Sequence, residues 1–144
     1  ESVRMSGPFP PPVGLQKVRN GGDVINIVCY GVGITEAIAV AEAELNRADV
    51  NSVTMLWSNR GSHDEVLTES VDQLQKDHPN RFTVLRAYSR QTGGDFEGRV
   101  DGGMIKTAFN LTQVDPENTT NRFLIVGTKE MIKETWVQME SMGF

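Results

Sequence analysis

The sequence predicts an α/β domain: a parallel sheet with helices on both faces. Three observations predict it. Four short, nearly continuous apolar runs begin at Val24, Val53, Phe82 and Phe123. Each is followed by a segment whose apolar residues recur at helical spacing, so strand and helix alternate to the end of the chain. The 144 residues, 38% of them apolar, suit one ordinary domain with its own core.

Residues 1–23 carry Pro8, Pro10, Pro11 and Pro12 with Gly7, Gly14, Gly21 and Gly22. They read as an extended linker ahead of a domain at 24–144. Val24-Ile25-Asn26-Ile27-Val28-Cys29 has the unbroken apolar character of a strand covered on both faces. Ile34, Ile38, Ala41 and Leu45 then mark a helix, with Thr35 as its N-cap and an end near Asn46. Val53-Thr54-Met55-Leu56-Trp57 is the second strand. Ser62-His63-Asp64-Glu65 has capping-box spacing and predicts a helix carrying Leu67, Val71 and Leu74, closed by His78-Pro79. The third strand is 82–88, followed by a glycine-rich loop at 91–98. Met104, Ile105, Ala108 and Phe109 outline a short helix, weakened by Gly102 and Gly103. A polar loop at 110–121 leads to the fourth strand, 123–126, and Ile132, Trp136 and Met139 line a last helix.

Composition removes several function classes. A lone cysteine, Cys29, excludes an intrachain disulfide framework and a paired-cysteine zinc site. His63 and His78 make no cluster. With 19 acidic against 14 basic residues, bulk binding to nucleic acid or anionic membrane is not expected. No apolar run approaches the ~20 residues of a membrane span. No serine, cysteine or threonine is spaced with a histidine and an acid for nucleophilic hydrolysis, and no phosphate loop ends in lysine-serine. Cys29 ends the most buried strand and reads as an apolar filler. No charged-then-apolar leader follows Glu1, so the expectation is an intracellular protein, cytoplasmic or organellar, cut from a longer polypeptide.

In parallel α/β sheets ligands bind beyond the carboxyl ends of the strands. Four segments reach that edge. Gly31-Val32-Gly33-Ile34-Thr35 lets the backbone approach a ligand and offers the amides of a first helical turn to an anion; it reads equally as a tight turn with no ligand. Ser58-Asn59-Arg60, with Asp64, offers a carboxylate for ribose hydroxyls and an arginine for a 2′-phosphate; an exposed Arg60–Asp64 ion pair is as good a reading. Tyr88-Ser89-Arg90 with Gly98-Arg99-Val100, and Gly127-Thr128-Lys129-Glu130-Met131, are further binding loops by position alone.

Taken in order, these segments resemble the nicotinamide-nucleotide-binding module of the ferredoxin–NADP reductase superfamily, in its cytochrome b5 reductase and nitrate reductase branch. The resemblance runs from about Met5 to Phe144. Ser6-Gly7-Pro8-Phe9 is similar to the end of the flavin barrel, and Gly31-Val32-Gly33-Ile34-Thr35 to the G-T-G-I-T pyrophosphate loop. Trp57-Ser58-Asn59-Arg60 with Asp64 and Leu67 is similar to the ribose-binding strand end. Gly98-Arg99-Val100-Asp101 with Met104-Ile105 resembles a G-R-V turn, and Val126-Gly127-Thr128-Lys129-Glu130-Met131-Ile132 the C-G-P-P-P-M-I segment.

The resemblance implies a Rossmann-like doubly wound sheet ordered 3-2-1-4-5. It implies a module that holds NADH or NADPH, NADH slightly favoured, with FAD carried on a flavin-binding barrel of the same polypeptide. Hydride would pass to the flavin and electrons on to an acceptor the sequence does not name. It implies cofactor contacts from Gly31, Val32, Gly33, Ile34, Thr35, Ser58, Asn59, Arg60, Asp64, Gly127, Thr128, Lys129 and Met131. No catalytic acid or base is implied, because the protein supplies orientation.

The sequence departs from the family at Val32, at Glu36 (a proline there), at Val126 (a cysteine beside the nicotinamide) and at Thr128-Lys129 (two prolines). Those departures support an alternative, a non-catalytic interaction or scaffold module. Arg86-Ala87-Tyr88-Ser89 matches the flavin-binding R-x-Y-S pattern but falls after the glycine loop, so it reads as an ordinary strand ending. The chain stops at Met142-Gly143-Phe144, before the family's last strand, which would leave a sheet edge open.

Overall fold

The computed structural model describes residues 23–111 and 121–142. The expected linker up to residue 22, most of the polar loop and the last two residues lie outside them. Strand β1 is Asp23–Tyr30. A single 3-10 turn, Gly31–Gly33, leads into α1, Ile34–Leu45. Strand β2 is Val50–Asn59, followed by a 3-10 turn at Ser62–Asp64 and helix α2 at Thr68–Asp77. Strands β3, Phe82–Tyr88, and β4, Phe96–Glu97, precede α3, Gly102–Ala108. Strand β5, Asn121–Val126, and α4, Lys129–Ser141, complete the described chain.

The strands form one sheet ordered β4-β3-β2-β1-β5, and every pair is parallel. The four long strands therefore adopt the expected 3-2-1-4 arrangement. The fifth differs from expectation. It is the two-residue β4, drawn from the glycine-rich loop, and it lies beside β3 rather than beyond the fourth strand. The Asp95 carboxylate turns that loop back by accepting from the Arg86 amide at 2.8 Å.

Side-chain alternation along β1 divides the core. Ile25, Ile27 and Cys29 face α1 and α2, packing with Ile34, Ala37, Ala41, Leu45, Val71 and Leu74. Val28 faces α3 and α4 with Met104, Ile105, Ile132 and Met139. Arg81 ties the far end of the first layer together. Its guanidinium donates to the carbonyls of Leu45 (2.8 Å), Arg47 (3.0 Å) and Val50 (2.8 Å).

Two helix starts differ from expectation. Thr35 does not cap α1: the 3-10 turn shifts the boundary so that Gly33 is the N-cap, with no side-chain capping bond. The capping box also fails. α2 begins at Thr68, after Leu67 in a left-handed conformation (φ 57°). Ser62 and Glu65 are engaged elsewhere, as shown below. Trp57 is fully buried, whereas Trp136 stays 37% exposed on the outer face of α4. No helix among the described residues is long and apolar enough to cross a membrane.

Candidate functional site

The carboxyl ends of β5, β1, β2 and β3 are nearly level. Cys29 pairs with Val126, Tyr30 with Ser58, and Asn59 with Tyr88. The register therefore brings the turn after β1, the end of β2 and the turn after β5 to one edge. These are three of the four segments singled out in the sequence; the fourth, after β3, lies beside them.

The turn after β1 is built on Gly31, whose φ of +56° is a conformation open to glycine at little cost. Its carbonyl accepts from the Trp57 indole Nε1 at 3.2 Å. Gly33 sits against β5: a Cβ there would lie 2.8 Å from Val126 Cγ1 and 3.3 Å from the Val126 carbonyl oxygen. Gly127 repays the contact from the other side, since a Cβ on it would lie 2.9 Å from the Tyr30 ring. Each of these two strand ends is thus packed by a glycine of the neighbouring turn. Sequence reasoning assigned both glycines to ligand approach; the structure shows that helix and strand packing already requires them.

Ile34 has no side-chain surface, and its amide is bonded to the carbonyls of Gly31 and Val32. Val32 and Thr35 are exposed, Val32 at 76%. The first turn of α1 contains Glu36 and no basic residue. At α4 the arrangement is different, because the Thr128 hydroxyl accepts from the Met131 amide at 3.3 Å and caps the helix. Thr128 is therefore spent on its own helix, while α1 opens without a side-chain cap. Tyr30 anchors α4 from below. Its hydroxyl lies 2.6 Å from Thr135 Oγ1, which itself donates to the Met131 carbonyl at 2.8 Å. Lys129 and Met131 are exposed at the same edge.

At the end of β2, Ser58 is half-buried and Asn59 is 6% exposed. The Asn59 amide nitrogen is the one buried side-chain N or O among the described residues with no hydrogen-bond partner. A buried donor left unmatched costs about 1–3 kcal/mol, so an acceptor there, from water or from a bound molecule, would stabilise the chain. Beyond it, Arg60 and Asp64 are exposed and do not pair with each other. The Asp64 amide instead closes the 3-10 turn on the Gly61 carbonyl at 3.1 Å. The alternative reading, an Arg60–Asp64 ion pair, does not form because that turn replaces the helix on which i, i+4 residues would meet.

Sequence reasoning missed Glu65. Its side chain is 6% exposed, and one carboxylate oxygen accepts from Arg86 Nε at 3.1 Å and the Tyr88 hydroxyl at 2.8 Å. Burial, and then the bond to Glu65, push the Tyr88 hydroxyl above its ordinary pKa. The Arg86 guanidinium also lies 5.5 Å from the centre of the Trp57 ring and 3.8 Å from Asp72. Ser62 is held separately, its amide donating to Gln91 Oε1 and its hydroxyl accepting from Gln91 Nε2. The R-x-Y-S segment is thus occupied by Glu65. Glu65→Gln keeps an acceptor for Tyr88 but strips the charge from the pair with Arg86. The expected loss is about 1 kcal/mol, read as a lower urea midpoint with unchanged slope. Cys29 is fully buried, and burial, with Glu36 second, pushes its thiol far above the ordinary value. It is a packing residue.

The family described as "Oxidoreductase NAD-binding domain" matches residues 27–136. "Nitrate reductase [NADH]" of Volvox carteri is 30% identical over 133 residues, covering 89% of this chain and 15% of that protein. "NADH-cytochrome b5 reductase 1" of Mycosarcoma maydis is 26% identical over 121 residues, covering 83% of this chain and 36% of that protein. Among solved structures, the cytochrome b5 reductase domain of Ulva prolifera nitrate reductase superposes with a TM-score of 0.70 at 24% identity, covering 89% of this chain and 51% of that one. The chain thus spans about half or less of each of these relatives.

Proposed function

The chain belongs to the oxidoreductase NAD-binding domain family, and from that premise we propose that it holds NADH or NADPH across its carboxyl edge. It would present the nicotinamide to FAD carried on a separate barrel domain of the same polypeptide. The observation that carries the reading is the unmatched Asn59 amide, buried at the end of β2 beside an uncapped helix N-terminus.

The residues fit a dinucleotide in three places. The Gly31–Gly33 turn and the α1 amides that follow the engaged Ile34 amide lie at the edge and favour a pyrophosphate. Ser58, Asn59, Arg60 and Asp64 surround the place where an adenosine ribose would lie, Asn59 donating and Asp64 accepting. Gly127, Lys129 and Met131 border the nicotinamide end, with Lys129 offsetting the anionic Glu36. Bound NADH would supply the hydride. What this chain supplies is orientation, and none of its residues need move a proton. The departures at Val126 and Thr128 are compatible with this reading, since one packs the pyrophosphate turn and the other caps α4.

NADH is the preferred form. Asp64 would repel a 2′-phosphate and Arg60 would attract it, so the preference rests on the nitrate reductase and cytochrome b5 reductase relatives, which carry NADH in their names. Calorimetric titration of this chain with each cofactor tests the proposal. NADH is expected to bind about fivefold tighter than NADPH, a difference near 1 kcal/mol. Absence of binding by either at millimolar concentration would contradict the nucleotide reading, and tighter NADPH binding would contradict the preference.

A further inference from the structure

We infer that Trp57 is a positioning residue for the pyrophosphate turn, acting through the Gly31 carbonyl. The inference rests on the nucleotide reading above and assigns to a buried β2 side chain a role at the ligand edge.

Gly31 has a φ of +56° and no atom within 4 Å of a virtual Cβ, so its hydrogen bonds fix its orientation, and within the 3-10 turn its carbonyl accepts from the Ile34 amide. The peptide plane between residues 31 and 32 rests on that one turn bond unless a second donor adds to it. The plane is rigid and trans, so its carbonyl and the Val32 N–H point in opposite directions. The indole of Trp57 holds the carbonyl toward the sheet at 3.2 Å. That bond directs the Val32 N–H away from the sheet, where the 76% exposed Val32 marks the open edge. Losing the indole N–H leaves the plane on the Ile34 bond alone, so it turns more readily and can present a carbonyl oxygen to an anionic ligand.

The indole can do this because it cannot move. Trp57 is fully buried, in register between Cys29 and Arg86. The Arg86 guanidinium lies over its ring at 5.5 Å, and Arg86 is in turn fixed by Glu65 at 3.1 Å. Glu65 is bonded by Tyr88 as well. A continuous set of contacts therefore runs from Tyr88 through Glu65, Arg86 and Trp57 to the Gly31 carbonyl. The same turn is held at its other end by Val126 against Gly33.

Trp57→Phe keeps an aromatic ring and removes the N–H. This variant is expected to bind NADH about fivefold more weakly, the effect of one lost hydrogen bond. The Val32 amide resonance of the ligand-free protein should shift as well. Val53→Ala, a fully buried substitution toward the amino end of β2, in register with Ile25 and Phe82, serves as the comparison. It should lower the melting temperature at least as much and leave NADH affinity unchanged.

If Trp57→Phe does not fold, benzothienylalanine at position 57 retains the indole shape with sulfur in place of N–H and carries the same expectation. Wild-type binding with either position-57 variant unaffected overturns the inference alone, as does an equal loss of affinity in Val53→Ala. A wild-type chain that binds neither NADH nor NADPH overturns the nucleotide reading and this inference with it.

Discussion

Gly33→Val is expected to destabilise the protein by about 3 kcal/mol, the upper part of the range for overpacking a tight contact. The added Cβ would be 2.8 Å from Val126 Cγ1 and 3.3 Å from a backbone oxygen. The methyl group can rotate or be removed, whereas the carbonyl is fixed in β5. Val126→Ala in the same chain should therefore restore part of the loss, about 1 kcal/mol, while costing stability on its own as a cavity. Denaturant midpoints of the two single variants and the double variant measure that coupling. Additive losses would show that Gly33 is not packed on Val126. Nucleotide affinity should also fall, because α1 can no longer seat against the sheet.

Asn59→Leu is expected to move stability and affinity in opposite directions. The variant removes an amide that is buried without a partner and replaces it with an apolar group of similar size. Ligand-free stability should rise by about 1 kcal/mol, since the unmatched donor no longer has to be desolvated. NADH affinity should fall about tenfold or more, the cost of removing a buried donor from a ligand acceptor. A fall in both quantities would mean that Asn59 is ordinary core structure. A rise in stability with no loss of affinity would remove it from the nucleotide site.

The fold was largely legible because its signals are local. The unbroken apolar runs that became β1, β2, β3 and β5 could be read from residue type alone, as could the helical spacing of Val71 and Leu74. β4 could not: Phe96-Glu97 becomes a strand only because β3 offers an open edge and Asp95 turns the loop. The capping-box reading of Ser62 and Glu65 failed for a related reason. Gln91 and Arg86, 29 and 21 residues away in sequence, compete for those side chains and win.

At the candidate site the positions were legible and the roles less so. Strand-to-helix glycines mark the carboxyl edge in any α/β chain. That Gly33 and Gly127 also serve the packing of β1 against β5 depends on which strands are neighbours, and no local spacing encodes it. Trp57 is the same case. Its burial follows from its strand, but its bond to Gly31 follows from the parallel register of β1 and β2.

The proposed nicotinamide dinucleotide would lie across the carboxyl ends of β5, β1 and β2. Amide NMR of the isotopically labelled chain, titrated with NADH and then NADPH, tests it most directly. Shifts are expected to concentrate at residues 31–35, 59–64 and 127–131, larger at a given concentration for NADH. The opposite edge, around Val50 and Arg81, should stay still. A well-dispersed spectrum that does not respond to either cofactor, or responds at that opposite edge, would contradict it.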